Sequence, residues 1–165
     1  MALPEYYQRY FNRYEGNNLV HEAIKQGDLA LEFYRAIPEN LEEYRYEPEK
    51  WSMKEVLAHI IETERVFGFR LLWFSKNDKS PLPGFDENAW AKEMNIENRK
   101  WQTLINELAN VRASSIYLLS SLHPDMLQRR GRASEVDLTV EELAKILIGH
   151  ELHHRHVLKT RYLTQ

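Results

Sequence analysis

The sequence contains no cysteine, and this absence excludes several classes of protein. It removes a disulfide framework, a thiolate metal site and a cysteine nucleophile. Long hydrophobic runs are also missing, so no stretch is long enough to span a bilayer. The first 18 residues lack the apolar segment of a secretory signal. We therefore expect a cytoplasmic protein without a membrane partner.

An excess of positive charge is missing as well. The chain has 22 lysines and arginines against 25 acidic residues, a formal net charge of -3. A nucleic-acid-binding protein usually carries a basic patch, so we expect no nucleic-acid partner. The length of 165 residues and a hydrophobic content of 43% fit one globular domain over residues 1–165.

Helical periodicity dominates the sequence, whereas strand signals are weak throughout. Ser52 with Glu55 and Thr139 with Glu142 form two capping boxes, a pattern that marks helix starts. Four long helices are predicted, at about 18–36, 52–74, 97–122 and 139–162. They predict an all-α protein with the four-helix bundle architecture. Two long connections precede the last two helices and could cover one end of the bundle.

The segment before the first long helix is rich in aromatic residues. Tyr7, Phe11 and Tyr14 fall at helical spacing. We interpret this segment as a packing arm, a short segment that packs against the rest of the protein. In one version of this interpretation it packs against a second copy in a dimer.

Histidine is concentrated near the end of the chain, in GHELHHRHVLKTRYL at positions 149–163. A helix turns by about 100° per residue, which places His150 and His154 on the apolar side that should face the core. His153 falls at the edge of that side and His156 outside it. Histidines four residues apart can bind one metal ion. A hydrogen-bonded pair of core histidines is equally compatible with this helix alone.

A metal site needs a third ligand, and His59 in EVLAHIIETERVFGF is the best candidate. Its side of the second helix mixes polar and apolar residues, as the lining of a pocket does. Glu62 and Arg70 are further candidates for that pocket. Three neutral imidazoles leave coordination positions of zinc open to water or substrate, and nickel or iron also accept imidazole ligands.

Residues 150–154 also spell HExxH, the zinc-peptidase signature in which the glutamate is the general base. The longer form of that motif needs Gly and His where this chain has Val157 and Thr160, and no acidic residue follows Glu151. A peptidase is therefore the weaker alternative, and Glu151 is a candidate catalytic carboxylate. A ferritin-like di-iron centre requires two Glu-x-x-His motifs. Glu151 and His154 supply one, but the helix of His59 offers no second one, so a site for a single metal ion fits better.

Four stretches of the sequence resemble the DinB/YfiT-like superfamily of metal-binding four-helix bundles. They are KWSMKEVLAHIIETERVFGFRLL, LPGFDENAW, ELANVRASSIYLLSSL and GHELHHRHVLKTRYL. The first and last look like the helices that carry the metal ligands of the family. Carried over to this chain, those ligands are His59, His150 and His154.

The resemblance implies one divalent metal ion, zinc or nickel, and a homodimer. Some branches of the family transfer low-molecular-weight thiols to electrophiles, and others are described as metal-dependent hydrolases. We therefore expect a metal-dependent enzyme that activates a thiol or a water against a small-molecule substrate, with thiol transfer favoured by the resemblance. The alternative is a non-catalytic, metal-dependent protein that binds a small ligand or acts in stress.

Overall fold

A computed structural model describes residues 3–164 and is predominantly helical within that range. Its α-helices are α1 Glu5–Phe11, α2 Leu19–Arg35, α3 Met53–Ser75, α4 Glu87–Lys92, α5 Trp101–Ser120 and α6 Val140–Val157. One π-helical turn, Leu158–Tyr162, continues α6. The long helices α2, α3, α5 and α6 confirm the predicted four-helix bundle. None of the described helices is long and apolar enough to cross a membrane.

The predicted helix starts are present as capping interactions. The Ser52 side chain accepts a hydrogen bond from the Glu55 N–H, and the Glu55 carboxylate accepts one from the Ser52 N–H. Thr139 and Glu142 make the same reciprocal pair at the start of α6. These bonds satisfy N–H groups that the first turn of a helix leaves without a partner. Local sequence therefore sets where the two helices that carry the histidines begin.

The four long helices pack so that α2 and α3 each contact both α5 and α6. Their order around the bundle is therefore α2, α5, α3, α6. The buried core between them forms two clusters, one that includes Leu57 and Leu104 and one that includes Leu71 and Leu147. This arrangement sets α3 directly against α6, the two helices on which the candidate ligands lie.

A short β-hairpin precedes α6, and the weak strand signals of the sequence did not predict it. Strand β1, Arg130–Ala133, pairs antiparallel with β2, Val136–Thr139. Leu82, in the connection after α3, exchanges backbone hydrogen bonds with Arg132 and Ser134. The two long connections therefore meet beside the bundle.

Helix α1 lies across α6 and approaches it closely at one glycine. A β-carbon on Gly149 would fall 2.0 Å from the backbone oxygen of Tyr10, a distance that no side chain can occupy. The predicted packing arm is therefore a helix held against α6 immediately before His150.

Candidate metal centre

Three histidine rings converge between α3 and α6. The Nε2 atom of His150 lies 3.1 Å from the Nε2 atom of His59 and 3.1 Å from that of His154. One ring nitrogen from each residue lies within 4.8 Å of the others. Within residues 3–164, no carboxylate joins this group. The structure thus brings together the three residues that the sequence proposes as ligands.

The arrangement of these nitrogens fits a divalent cation better than a hydrogen-bonded pair in the core. A ring nitrogen either donates one proton or offers one lone pair, so the Nε2 of His150 can make one good hydrogen bond. It has two neighbours at 3.1 Å. Tetrahedral zinc, with bonds of about 2.0–2.1 Å, keeps its ligand nitrogens roughly 3.3 Å apart. One ion would satisfy all three nitrogens.

Burial keeps these rings in the form that binds metal. It lowers the pKa of His59 to about 4. Burial, followed by the repulsion between neighbouring histidines, lowers the pKa of His150 and His154 well below the ordinary value. All three are therefore neutral at pH 7, and a neutral imidazole is the form that coordinates a metal ion.

The surrounding side chains hold the rings in place. Thr63 Oγ1 lies 3.4 Å from Nδ1 of His59, which leaves the Nε2 atom of that ring to face the other histidines. The ring of Trp51 packs 4.8 Å from that of His59, and the ring of Tyr10 packs 4.9 Å from that of His150. Such contacts with the outer faces of the ligands fix their orientation.

A cavity of about 480 Å³ opens beside the three histidines. This volume lies in the range of pockets for small molecules. Aromatic side chains form much of its wall. The lining residues are Tyr6, Tyr7, Tyr10, Trp51, His59, Thr63, Phe67, Arg70, Gly84, Phe85, Glu87, Ser134, His150 and His154. The cavity is therefore a suitable site for an organic ligand that reaches the histidines.

The structure separates the two pocket candidates of α3. Arg70 is buried and lines the cavity. Glu62 does not line it: its carboxylate forms an ion pair with Arg99, whose Nη1 lies 3.4 Å away and which precedes the start of α5. The prediction for Arg70 thus gains a geometric basis that the one for Glu62 lacks.

Glu151 is buried but does not line the cavity. Its carboxylate accepts a hydrogen bond of 3.3 Å from the Tyr34 hydroxyl and lies 3.2 Å from Nε of Arg155. Burial raises the pKa of Glu151 despite this nearby arginine. A zinc peptidase needs this glutamate beside the metal-bound water. The geometry therefore lends no support to the peptidase alternative, and the catalytic role of Glu151 stays a prediction.

The other two histidines of α6 lie where the sequence predicts, whereas several aromatic residues of the cavity were not predicted. His156 is exposed and His153 is partly buried, and neither joins the cluster, as the helical spacing indicates. The tyrosines of α1 and Trp51 were not predicted as parts of the pocket. Their spacing indicates packing, and no local signal shows which surface they pack against.

The fold and the site define a four-helix bundle with a cluster of three histidines between two of its long helices. The family model of the DinB superfamily matches residues 24–158. Because that match covers well over half of the sequence, the chain belongs to the DinB superfamily.

A solved structure with a similar fold is YfiT from Bacillus subtilis, described as a probable metal-dependent hydrolase with an unusual four-helix bundle topology. The TM-score is 0.68 with 14% sequence identity, over 96% of this chain and 87% of that one. No curated protein matches the chain. The likeness to YfiT confirms the fold.

Proposed function

We propose that the chain is a metal-dependent enzyme in which His59, His150 and His154 bind one divalent cation, zinc or nickel, to activate a thiol or a water. The observation that carries this proposal is the convergence of three neutral imidazoles beside a cavity of about 480 Å³. The fold shared with a protein described as a probable metal-dependent hydrolase supports it. The substrate would be a small molecule, and a low-molecular-weight thiol is the nucleophile that the family resemblance favours.

The side chains of the site have distinct parts in this mechanism. The cation would lower the pKa of a thiol or water at an open coordination position. With a cation on Nε2, the Nδ1–H of His59 would donate to Thr63 Oγ1, 3.4 Å away, and keep the ligand nitrogen of that ring directed at the site. The rings of Trp51 and Tyr10 cover the histidines and limit the access of bulk water. The aromatic wall of the cavity holds the apolar part of the substrate.

Metal content after purification tests the ligand assignment. We expect one equivalent of divalent metal in the wild type and its loss in His59→Ala, measured by mass spectrometry of the elements. His156→Ala is the matched control, because His156 is exposed and lies outside the cluster. A wild type without stoichiometric metal, or a His59→Ala variant with unchanged content, contradicts the proposal.

Turnover by the metal-loaded protein tests the reaction. One assay follows the loss of a small thiol in the presence of an electrophile, and a second follows a panel of esters and amides. Thiol loss that needs the metal identifies a transferase, and hydrolysis that needs it identifies a hydrolase. Ligand binding without turnover in either assay supports the non-catalytic alternative. The homodimer implied by the family resemblance is tested by light scattering.

A further inference from the structure

Arg70 is a buried cation whose partners are all neutral. Its side chain is 2% exposed. Its guanidinium donates to the Tyr7 hydroxyl at 3.2 Å, the Pro83 carbonyl at 2.8 Å and Ser134 Oγ at 3.0 Å. Among residues 3–164, no carboxylate lies within 4.0 Å of it. A buried charge without a counter-ion is unfavourable, so this arginine calls for an anion.

The other buried arginines show how this fold normally compensates such a charge. Arg112 makes two hydrogen bonds, of 2.7 and 2.8 Å, to the carboxylate of Glu64. Arg155 lies 3.2 Å from the carboxylate of Glu151. Arg70 differs from both, and it is the one of the three that lines the cavity. Its counter-ion is therefore expected to come from the cavity.

The guanidinium has donors left for such an anion. Arginine carries five N–H groups, and the hydrogen bonds to Tyr7, Pro83 and Ser134 use three. Pro83 and Ser134 use both hydrogens of Nη2, so the free donors are Nε–H and one Nη1–H, on different edges of the guanidinium. Either one can donate a charge-assisted hydrogen bond to a carboxylate. One guanidinium carries a single positive charge, which balances a carboxylate, whereas a doubly charged phosphate would keep an excess of negative charge. Glu87 also lines the cavity and adds negative charge, but its side chain is exposed to solvent.

One aromatic ring connects this cation to the histidine cluster. The centroid of the Phe67 ring lies 5.7 Å from that of the His150 ring and 5.9 Å from Cζ of Arg70. The ring of Phe85 lies 5.9 Å from the same Cζ atom. An organic molecule in the cavity could therefore reach the histidines and Arg70 together, with its body against Phe67.

We propose that the cavity takes an organic acid, whose carboxylate binds Arg70 while its apolar body packs on Phe67 and Phe85. The other end of the ligand then faces His59, His150 and His154. That last point rests on the proposed function, because it makes the histidine cluster the place of reaction. The contact with Arg70 does not depend on a metal ion.

A purely structural role for Arg70 makes a different prediction. Its neutral partners belong to α1, the connection after α3 and the hairpin, so the side chain also holds three segments together. A structural arginine would not discriminate between a carboxylate and a neutral molecule of the same shape. The comparison of two such ligands therefore separates the roles.

Calorimetry with 3-phenylpropionate and 3-phenylpropionamide provides that comparison, on protein freed of metal by a chelator and on metal-loaded protein. We expect the carboxylate to bind at least tenfold more tightly than the amide in the metal-free protein, because Arg70 needs no metal. Equal affinities overturn the proposal. A carboxylate preference seen only with metal also overturns it, since the metal would then hold the anion.

Substitutions at Arg70 test whether this residue causes the preference for the carboxylate over the amide. Arg70→Met should abolish it while amide affinity stays within about twofold, which shows that the pocket is intact. Arg70→Lys keeps the positive charge but places it on a side chain of different shape, and should reduce the preference without abolishing it. Arg65→Met is the matched control, because Arg65 is exposed on the same helix and outside the cavity. Retention of the wild-type preference in both Arg70 variants overturns the assignment. The comparison of the two ligands on the wild type still tests the proposal if a variant fails to fold.

The outcomes distinguish this proposal from the proposed function. A carboxylate preference in metal-free protein together with no stoichiometric metal supports the anion site and contradicts the metal enzyme. Metal binding and turnover without any carboxylate preference contradict the anion site and support the metal enzyme.

Discussion

Burial governs the chemistry of the single side chains in this protein. It keeps His59, His150 and His154 neutral, as metal ligands must be. Burial also makes the stability of the protein depend on how each buried arginine is paired, because a charge inside the fold lacks the stabilisation that water gives.

The metal-free protein should lose stability as the pH falls. The pKa of His59 is about 4 in the fold and about 6.5 in an unfolded chain. Between these values the unfolded chain binds more protons, so acid favours unfolding. His59 alone should lower the free energy of unfolding by up to about 3 kcal/mol from pH 7 to pH 4. Urea denaturation of chelator-treated protein across this range checks it, and His59→Gln should flatten the dependence.

Arg112→Met should destabilise the protein strongly. The variant leaves the carboxylate of Glu64 buried without its partner, which typically costs about 3–5 kcal/mol. Arg65→Met is the comparison, because Arg65 pairs with Glu107 at the surface and such pairs contribute about 1 kcal/mol or less. The free energy of unfolding in urea is the measurement. A similar loss in both variants would contradict the role given to burial.

At the scale of elements, the close contact of α1 with α6 builds one wall of the cavity. Tyr6, Tyr7 and Tyr10 of α1 line the cavity, and the ring of Tyr10 packs on that of His150. This approach depends on Gly149, since any β-carbon there meets the Tyr10 backbone. Gly149 is therefore a position where the wall approaches the ligand helix too closely for a side chain.

Gly149→Ala should displace α1 and destabilise the protein by about 1–3 kcal/mol, the usual effect of overpacking. Gly68→Ala is the matched control in α3. There the added β-carbon has Ser115 Oγ, at 4.0 Å, as its nearest neighbour. Alanine should then stabilise the helix by about 0.5–1 kcal/mol. Urea denaturation measures both changes, and a loss of stability in the control or a gain in Gly149→Ala would refute the packing argument.

The hairpin before α6 shows why one element escaped prediction. Its two turn residues, Ser134 and Glu135, have positive φ angles of 51° and 61°. Hairpin turns of this kind usually carry Asn-Gly or Asp-Gly, the residues that adopt such angles most easily. Ser-Glu is no turn signal. Tertiary contacts hold the conformation instead, including the hydrogen bond from Arg70 to Ser134 Oγ and the pairing with Leu82.

For the whole molecule, the histidine cluster links two helices whose ligands lie 91 residues apart in sequence. A metal ion that binds only the folded chain stabilises it by mass action, by about 2.7 kcal/mol at a hundredfold excess over Kd. We expect added zinc or nickel to raise the Tm of the chelator-treated, metal-free wild type by about 5–10 °C. Differential scanning calorimetry measures this shift. His59→Ala should show a much smaller one, and an equal shift in that variant would contradict the assigned ligands.

The sequence by itself determined the helical bundle, the starts of α3 and α6, and the orientation of His150 and His154 towards the interior. These features depend on interactions within a few residues, namely capping bonds and the turn of a helix. His59 also became a candidate from the sequence, because it lies mid-helix on a mixed polar and apolar side and fits the family resemblance.

Only the tertiary structure decided which partner each inward-facing residue meets. A helical periodicity tells which side a residue is on, but it does not identify the neighbour across the core. Glu151 meets Tyr34 outside the cavity, whereas Arg70 lines the cavity without a carboxylate partner among residues 3–164. The Tyr10 contact with the histidines has the same origin. Such pairings join segments far apart in sequence, and the packing of the whole chain selects them.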